Sequence, residues 1–322
     1  MKWIFAAAIL ILGISVAQAD QQTLKIGTGK STGTYSSFFK SIQAKCGSDT
    51  LQLIEVNSNG CDDNIDAAIN KQTDAFFCQA DTIQFISMND PRASSDQIRL
   101  LVPLYPEEVH VIALRTLGKQ EGGFTIPGWG KTVGGTVKQL DSLADLGGLT
   151  VGAWGGSYTT SRAIALLGSV QYDTKRFDDD KQALDALNKG EIAAIIAVGG
   201  QPLGFAKSLN TKYKLLKIDA SLAAKVKAYQ TARLSYKNLD ASGVETVAPR
   251  SMLFVKNYTT PARRAAIAEL KACIQANIGE FKEGTGHHPK WSDVDLEAAS
   301  VWPLYDVGSA KPAAAIPAKK GK

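Results

Sequence analysis

Leu24-Lys-Ile-Gly-Thr-Gly-Lys-Ser-Thr-Gly-Thr-Tyr-Ser-Ser-Phe-Phe39 sets the pattern that the rest of the chain repeats. Leu24 to Ile26 reads as a short buried strand and Gly27 to Gly33 as a loop of small and hydroxylated residues. From Thr34 onward Tyr35, Phe38, Phe39 and Ile42 recur at helical spacing. A turn of this kind gathers free backbone N–H groups and the positive end of a helix dipole at one spot, which suits a phosphate or a carboxylate. Gly29-Lys30-Ser31 is not a nucleotide P-loop, because Leu24 stands where that motif needs its first glycine. The dinucleotide fingerprint fails too: Thr32 replaces its third glycine, and Glu55 comes too late to meet a ribose. From these residues alone, a tight turn without a ligand remains the alternative.

Working outward, Met1-Lys2, the apolar run Trp3 to Val16 and the small-x-small site Ala17-Gln18-Ala19 read as a secretory signal peptide cleaved after Ala19. No later apolar run approaches the ~18 residues that span a bilayer, so an exported, soluble product is expected. The chain beyond Ala19 is long enough for two lobes. The composition, 44% hydrophobic and 21% charged with a formal net charge of +5, is globular and too mildly basic to argue for nucleic acid. Cys46, Cys61, Cys78 and Cys273 allow up to two disulfides in an oxidising compartment, with the pairing open; they fit neither a zinc site nor a Cys-x-x-Cys redox motif.

A second strand is expected at Leu51 to Val56, a helix at Asp62 to Asn70, and a third strand at Ala75 to Cys78 leading into Gln79-Ala-Asp. In parallel α/β sheets the carboxyl ends of such strands share an edge, so the three loops should form a crevice. Ile98 to Leu104 and Val109 to Leu114, interrupted by Tyr105-Pro-Glu-Glu, read as a strand leaving one lobe for another. Lys119 to Lys138 reads as a long loop or flap. After the strand Leu149 to Ala153 the opening pattern returns in Gly152-Ala-Trp-Gly-Gly-Ser-Tyr-Thr-Thr-Ser-Arg, followed by helical Ala163 to Leu167. Gly155 to Thr159 lacks the final glycine of a nucleophile elbow. Two anion-suited helix starts suggest two lobes closing on a ligand. Further strands are expected at Ile192 to Val198, Leu215 to Ile218 and Val244 to Val255, and a helix from Pro261 to about Phe281.

Gly27-Thr-Gly with Gly33-Thr-Tyr, Asn59-Gly-Cys-Asp-Asp-Asn-Ile, Gln79-Ala-Asp, Leu104-Tyr-Pro-Glu, Ser142-Leu-Ala-Asp-Leu, Gly156-Ser157 with Thr159, and Gly190-Glu-Ile-Ala-Ala with Val198-Gly-Gly-Gln-Pro stand in a characteristic order. The chain thereby resembles, over nearly its whole mature length, the TAXI-type solute receptors of tripartite ATP-independent periplasmic (TRAP) transporters, relatives of the type II periplasmic binding proteins. The resemblance implies an α/β, two-lobe clamshell with hinge strands. With Val244 to Val255 recrossing to the first lobe, residues 20–105 plus 250–307 are expected as one discontinuous lobe and 106–249 as the other, and the Ala-, Pro- and Lys-rich stretch 308–322 reads as a disordered tail. It implies a monomeric periplasmic receptor, without a cofactor, that captures an amino acid such as glutamate or glutamine, or an organic acid, and delivers it to a TRAP permease. The ligand contacts it implies are Gly33, Thr34 and Tyr35, then Ser58, Asn59 and Gly60, then Gln79, with Gly156, Ser157, Thr159, Gly199 and Gly200 from the facing lobe. Cys61 stands where the family commonly has serine and Cys78 precedes Gln79, which implies a Cys61–Cys78 disulfide and leaves Cys46–Cys273 as the second. Lys30 and Ser31 depart from the family's first loop, and Lys30 is assigned to solvent. The 119–138 stretch looks like an insertion.

An enzyme is not expected. Of the three histidines, His110 lies in the lobe-crossing segment and His287 and His288 in a Gly-rich turn, so none is placed beside Ser157. Asp178-Asp-Asp reads as an acidic helix start and not as a metal site. A periplasmic sensor of the same fold, acting on a signalling partner, is the competing function.

Overall fold

The computed structural model describes residues 21–122, 124–125, 132–133 and 135–307. The expected signal peptide, the tail from Gly308 and part of the 119–138 stretch lie outside the described residues.

The opening stretch forms β1 (Gln22–Gly27) and α1 (Thr34–Cys46), and the unit repeats as β2 (Leu51–Val56), α2 (Cys61–Ile69), β3 (Ala75–Gln79) and α3 (Ala80–Ser87). The helical spacing of Phe38, Phe39 and Ile42 turns all three into a core shared with Leu24, Ile26 and Leu51. β4 (Ile98–Pro106) and β5 (Glu108–Leu114) come next, so the expected four-residue interruption shrinks to Glu107 alone. The 119–138 stretch is not a plain loop. β6 (Gly118–Glu121), β7 (Phe124–Thr125), β8 (Thr132–Val133) and β9 (Thr136–Gln139) pair as nested antiparallel ladders, β6 with β9 and β7 with β8. The residues of β9 are all exposed, so no apolar alternation marks it in the sequence.

The second half of the chain opens with β10 (Thr150–Trp154), α4 (Gly156–Leu167), β11 (Asp173–Phe177), α5 (Asp180–Asn188) and β12 (Ala194–Gly199). α4 starts at Gly156, seven residues before the expected helical run, because Ser157 and Thr159 to Ser161 are polar residues facing inward and break the apolar period. The chain then forms α6 (Gly204–Ser208), β13 (Tyr213–Leu216), α7 (Ser221–Lys225), β14 (Tyr229–Tyr236) and β15 (Ala241–Lys256). Its last helices are α8 (Pro261–Ala276), which begins on proline, and α9 (Ile278–Glu283); the single expected helix breaks at Asn277.

Two sheets result. In one, β2, β1 and β3 are parallel and β15 adds antiparallel to β3 and to β4; in the other the order is β11-β10-β12-β5-β13, with β5 antiparallel to its neighbours. β15, 16 residues long, joins them. Its first half pairs with β14 and donates the Thr246 hydroxyl to the Val109 carbonyl of β5, while its second half, Ser251 to Lys256, lies between β3 and β4. The chain thus passes between the sheets at Glu107 and again along β15.

Two disulfides have the expected pairing. Cys46–Cys273 fastens the end of α1 to α8, and Cys61–Cys78 fastens the start of α2 to β3, with Cα separations of 5.7 and 4.5 Å. Trp291 stacks between Phe38 and Phe281, at ring centroid distances of 4.1 and 4.4 Å, and holds the C-terminal segment against the first core.

Candidate functional site

The helices α1 to α4 begin at one place because each follows a strand whose carboxyl end lies on the inner edge of its sheet. Their N-cap residues are Gly33, Gly60, Gln79 and Gly155, and none of the four supplies a side-chain cap. Helix starts of this kind keep donors available to a guest. Together they bound a cleft of about 410 Å³ between the lobes, lined by Gly33, Thr34 and Tyr35 on one side and Gly156 and Ser157 on the other.

The lobes touch across it. A Cβ built at Gly155, whose φ is +48°, would stand 2.6 Å from the Asn59 carbonyl oxygen, so only glycine fits while the lobes are closed. The Thr159 hydroxyl, in the first turn of α4, donates to Asp62 Oδ2 in the first turn of α2 at 2.7 Å. Burial pushes the Asp62 carboxyl above its ordinary value, against that bond and the Arg176 charge.

Gly33, Thr34, Tyr35, Asn59, Gly60, Gln79, Gly156, Ser157, Gly199 and Gly200 all line the cleft, and Ser58 and Thr159 do not. Ser58 Oγ is taken up by the Thr28 carbonyl at 2.8 Å and the Gly60 N–H at 2.9 Å, so it shapes the loop from behind. Thr159 serves the seam. Ser157 Oγ accepts the Val198 N–H at 3.0 Å, tying α4 to β12. Lys30 is exposed at the mouth of the cleft.

Sequence reasoning missed the floor and one wall. Trp154 and Phe205 meet edge to face at 5.1 Å and make an apolar wall. Glu107, buried at 4% exposure, forms part of the lining beneath Tyr35. The Tyr35 hydroxyl donates to its Oε2 at 2.8 Å and the Tyr105 hydroxyl to its Oε1 at 3.3 Å. Burial, aided by the Asp81 and Glu108 carboxylates, pushes Glu107 up to about 7 although both hydroxyls favour the anion. Its one signal in the sequence is a charge where two apolar runs would otherwise join.

His288 also lines the cleft, and its Nδ1 accepts the Lys290 N–H at 3.1 Å. His110 is buried between the Glu108 carbonyl and the Tyr236 hydroxyl, and burial lowers it to about 4. His287 meets Ser41. Asp179 caps α5 by accepting the Gln182 N–H at 2.8 Å, so the Asp178 to Asp180 run is a helix start. Among the described residues no group of His, Cys, Asp and Glu gathers as a metal site, and no helix is long and apolar enough to cross a membrane.

Two α/β lobes joined by crossing strands around a cleft of helix N-termini make the fold of the type II periplasmic binding proteins. No protein-family model matches the chain. Among solved structures it is similar to the substrate-binding protein of an amino acid ABC transporter from Streptococcus pneumoniae bound to L-arginine (10% identity, 84% of this chain and 95% of that one, TM-score 0.50). It is also similar to an arginine transport system periplasmic binding protein from Legionella pneumophila (12% identity, 80% and 94%, TM-score 0.45). A third is the GluR0 ligand-binding core in complex with L-glutamate (14% identity, 82% and 98%, TM-score 0.47). These likenesses concern the fold.

Proposed function

We propose that the chain is a periplasmic solute receptor of the TAXI type, which captures a small carboxylate-bearing solute, an amino acid or an organic acid, and delivers it to a TRAP permease. The observation that carries this reading is the meeting of α1, α2, α3 and α4 N-termini, without side-chain caps, across a closed two-lobe cleft. Such a site can hold a carboxylate on backbone N–H groups without an arginine. Gly33, Thr34, Tyr35, Asn59, Gly60, Gln79, Gly156, Ser157, Gly199 and Gly200 form the binding surface in this proposal, with residues 20–105 plus 250–307 as one lobe and 106–249 as the other. The protein is a binding protein and not an enzyme, works as a monomer, and reaches the periplasm through a signal peptide cleaved after Ala19.

The test is a thermal-shift screen of the refolded, ligand-stripped mature protein against amino acids, organic acids and nucleotides. A ligand at ~100 times its Kd adds about 2.7 kcal/mol of stability. Stabilisation by one small acid, lost in Ser157→Ala or Tyr35→Ala, supports the reading. A response to nucleotides alone, or to nothing, refutes it.

A further inference from the structure

The cleft has two electrical halves. Three of its helix starts present glycine caps and backbone donors, whereas its floor presents acceptors. Glu107 is one acceptor, its carboxyl pinned by the Tyr35 and Tyr105 hydroxyls from α1 and β4. Gln79 is the other: the residue is 5% exposed, its Oε1 has no hydrogen-bond partner, and that oxygen lies 3.3 Å from the Cβ position of Gly156 across the cleft. A buried amide oxygen left unpaired is costly, and its place beside the cavity gives it a partner in a guest.

The neighbouring charges are already engaged. Lys290 Nζ is held by Glu108 at 2.7 Å and Asp293 at 2.8 Å, and Glu108 also accepts the Gln201 N–H at 2.6 Å. Asp180, the other carboxylate of the lining, is only partly buried, in the first turn of α5. Glu107 is therefore the carboxyl that a buried guest meets, and among the described residues no lysine or arginine pairs with it.

We infer that Glu107 and Gln79 form a subsite for a protonated amine of the solute, making Glu107 the residue that selects amino acids over the corresponding oxo and hydroxy acids. This deepens the proposed function and rests on it: the solute's carboxylate lies on the helix starts and its ammonium on the floor. A bound ammonium replaces the missing counter-charge of Glu107, and its hydrogens satisfy Gln79 Oε1. An acid without nitrogen leaves both acceptors facing its own oxygens.

The groups that act on Glu107 are Tyr35 on α1, Asp81 on α3, Tyr105 on β4 and Glu108 on β5. Of the cations nearby, Lys290 is taken by Glu108 and Asp293, and Lys30 is exposed while His288 stands elsewhere in the lining. Because Glu107 is about half protonated near neutrality, capture of an ammonium expels its proton. Affinity for an amino acid should then rise as pH rises through about 7, and calorimetry in two buffers of different ionisation heat should show net proton release.

The experiment pairs each L-amino acid with its 2-oxo acid, for example L-glutamate with 2-oxoglutarate, against the ligand-stripped wild type and Glu107→Gln. The wild type should bind one or more amino acids at least tenfold more tightly than the paired oxo acid. Glu107→Gln should lose roughly 10- to 100-fold for the amino acid, the range of a charge-assisted bond, and change little for the oxo acid. Equal wild-type affinity for both members of every pair overturns the subsite and leaves the receptor reading standing; so does proton uptake on binding an amino acid. Failure of the wild type to bind any acid overturns both. If Glu107→Gln does not fold, wild-type selectivity and the sign of proton exchange decide alone.

Discussion

Lys290→Met should be among the most destabilising single substitutions in the chain that leave the stem of the side chain in place. Lys290 and Glu108 are 4% and 9% exposed at their side chains and 2.7 Å apart, 182 residues apart in sequence. Lys290 belongs to the C-terminal segment that Trp291 anchors in the first core, and Glu108 opens β5 of the other sheet, so the pair ties the lobes beside the Glu107 crossing. Methionine keeps the packing of the aliphatic stem, whose atoms lie within 3.1 Å of the Cβ position of Gly200, and removes only the charge. Glu108 is then left buried with the Gln201 N–H alone, and breaking a buried pair on one side costs about 3–5 kcal/mol. At roughly 2–4 °C per kcal/mol the melting temperature falls by about 10 °C. Urea denaturation of Lys290→Met, Glu108→Gln and the double variant measures this as a cycle. The double variant should recover at least about 2 kcal/mol relative to the sum of the singles. A single variant within about 1 kcal/mol of wild type, or strict additivity, refutes the ion pair as the tie between lobes.

Gly155→Ala should destabilise the fold by about 1–3 kcal/mol through its φ of +48° and ψ of −141°, and should also weaken solute binding, because the added Cβ meets the Asn59 carbonyl oxygen only in the closed state. Small-angle scattering with saturating ligand reads the second effect as a failure to contract; contraction equal to wild type sinks it. Replacing Cys46 and Cys273 by serine should cost about 5 kcal/mol and replacing Cys61 and Cys78 about 3 kcal/mol, since the closed loops span sequence separations of 227 and 17. Urea midpoints in the reverse order contradict the loop-entropy account. Glu107, raised from 4.5 to about 7, contributes stability that is fully present below pH 4.5 and lost as pH rises through 7. Ligand-free wild type should therefore lose about 3 kcal/mol relative to Glu107→Gln across that window. Parallel pH profiles of the two proteins rule this out.

The strand, loop and helix units are legible because each strand is an apolar run, each loop is glycine or hydroxyl, and each helix restores the 3.6 period, as in Leu24 to Ile42. What escapes is polar or nonlocal. β11 is an edge strand whose residues are exposed or half-buried, so it shows no buried alternation, and β14 takes its register from β15 and not from its own pattern. The front of α4 is hidden because Ser157, Thr159, Thr160 and Ser161 are buried for the seam and the sheet, although they are polar. In the cleft the glycine and hydroxyl loops are visible as anion sites, and of the expected contact residues only Ser58 and Thr159 turn away from it, each drawn off by a partner within the protein. Glu107, within Leu104-Tyr-Pro-Glu, reads from sequence as a break between apolar runs. Its chemistry depends on Tyr35, 72 residues away, which only the folded chain brings to it.

The glycine caps connect the two findings of closure and charge. α5, whose start is at the edge of the cleft, uses Asp179 as an ordinary cap, which satisfies its own N–H groups. A serine or aspartate at Gly60 or Gly155 would do the same for α2 and α4, but its Cβ would oppose the positive φ at either site and, at Gly155, collide with Asn59. The seam thus demands glycine, and glycine leaves the helix donors unsatisfied. The same residues that let the lobes meet oblige them to meet around something that accepts hydrogen bonds. Thr159 and Asp62 close the seam with a side-chain bond from the first turns of α4 and α2, and Glu107 forms another part of the cleft lining. A guest bearing negative charge at one end and positive charge at the other satisfies both, whereas water between the lobes would have to be ordered by each separately. Closure without such a guest therefore leaves the glycine-capped helix starts and the buried Gln79 Oε1 without a partner, a cost that weighs against the empty closed form.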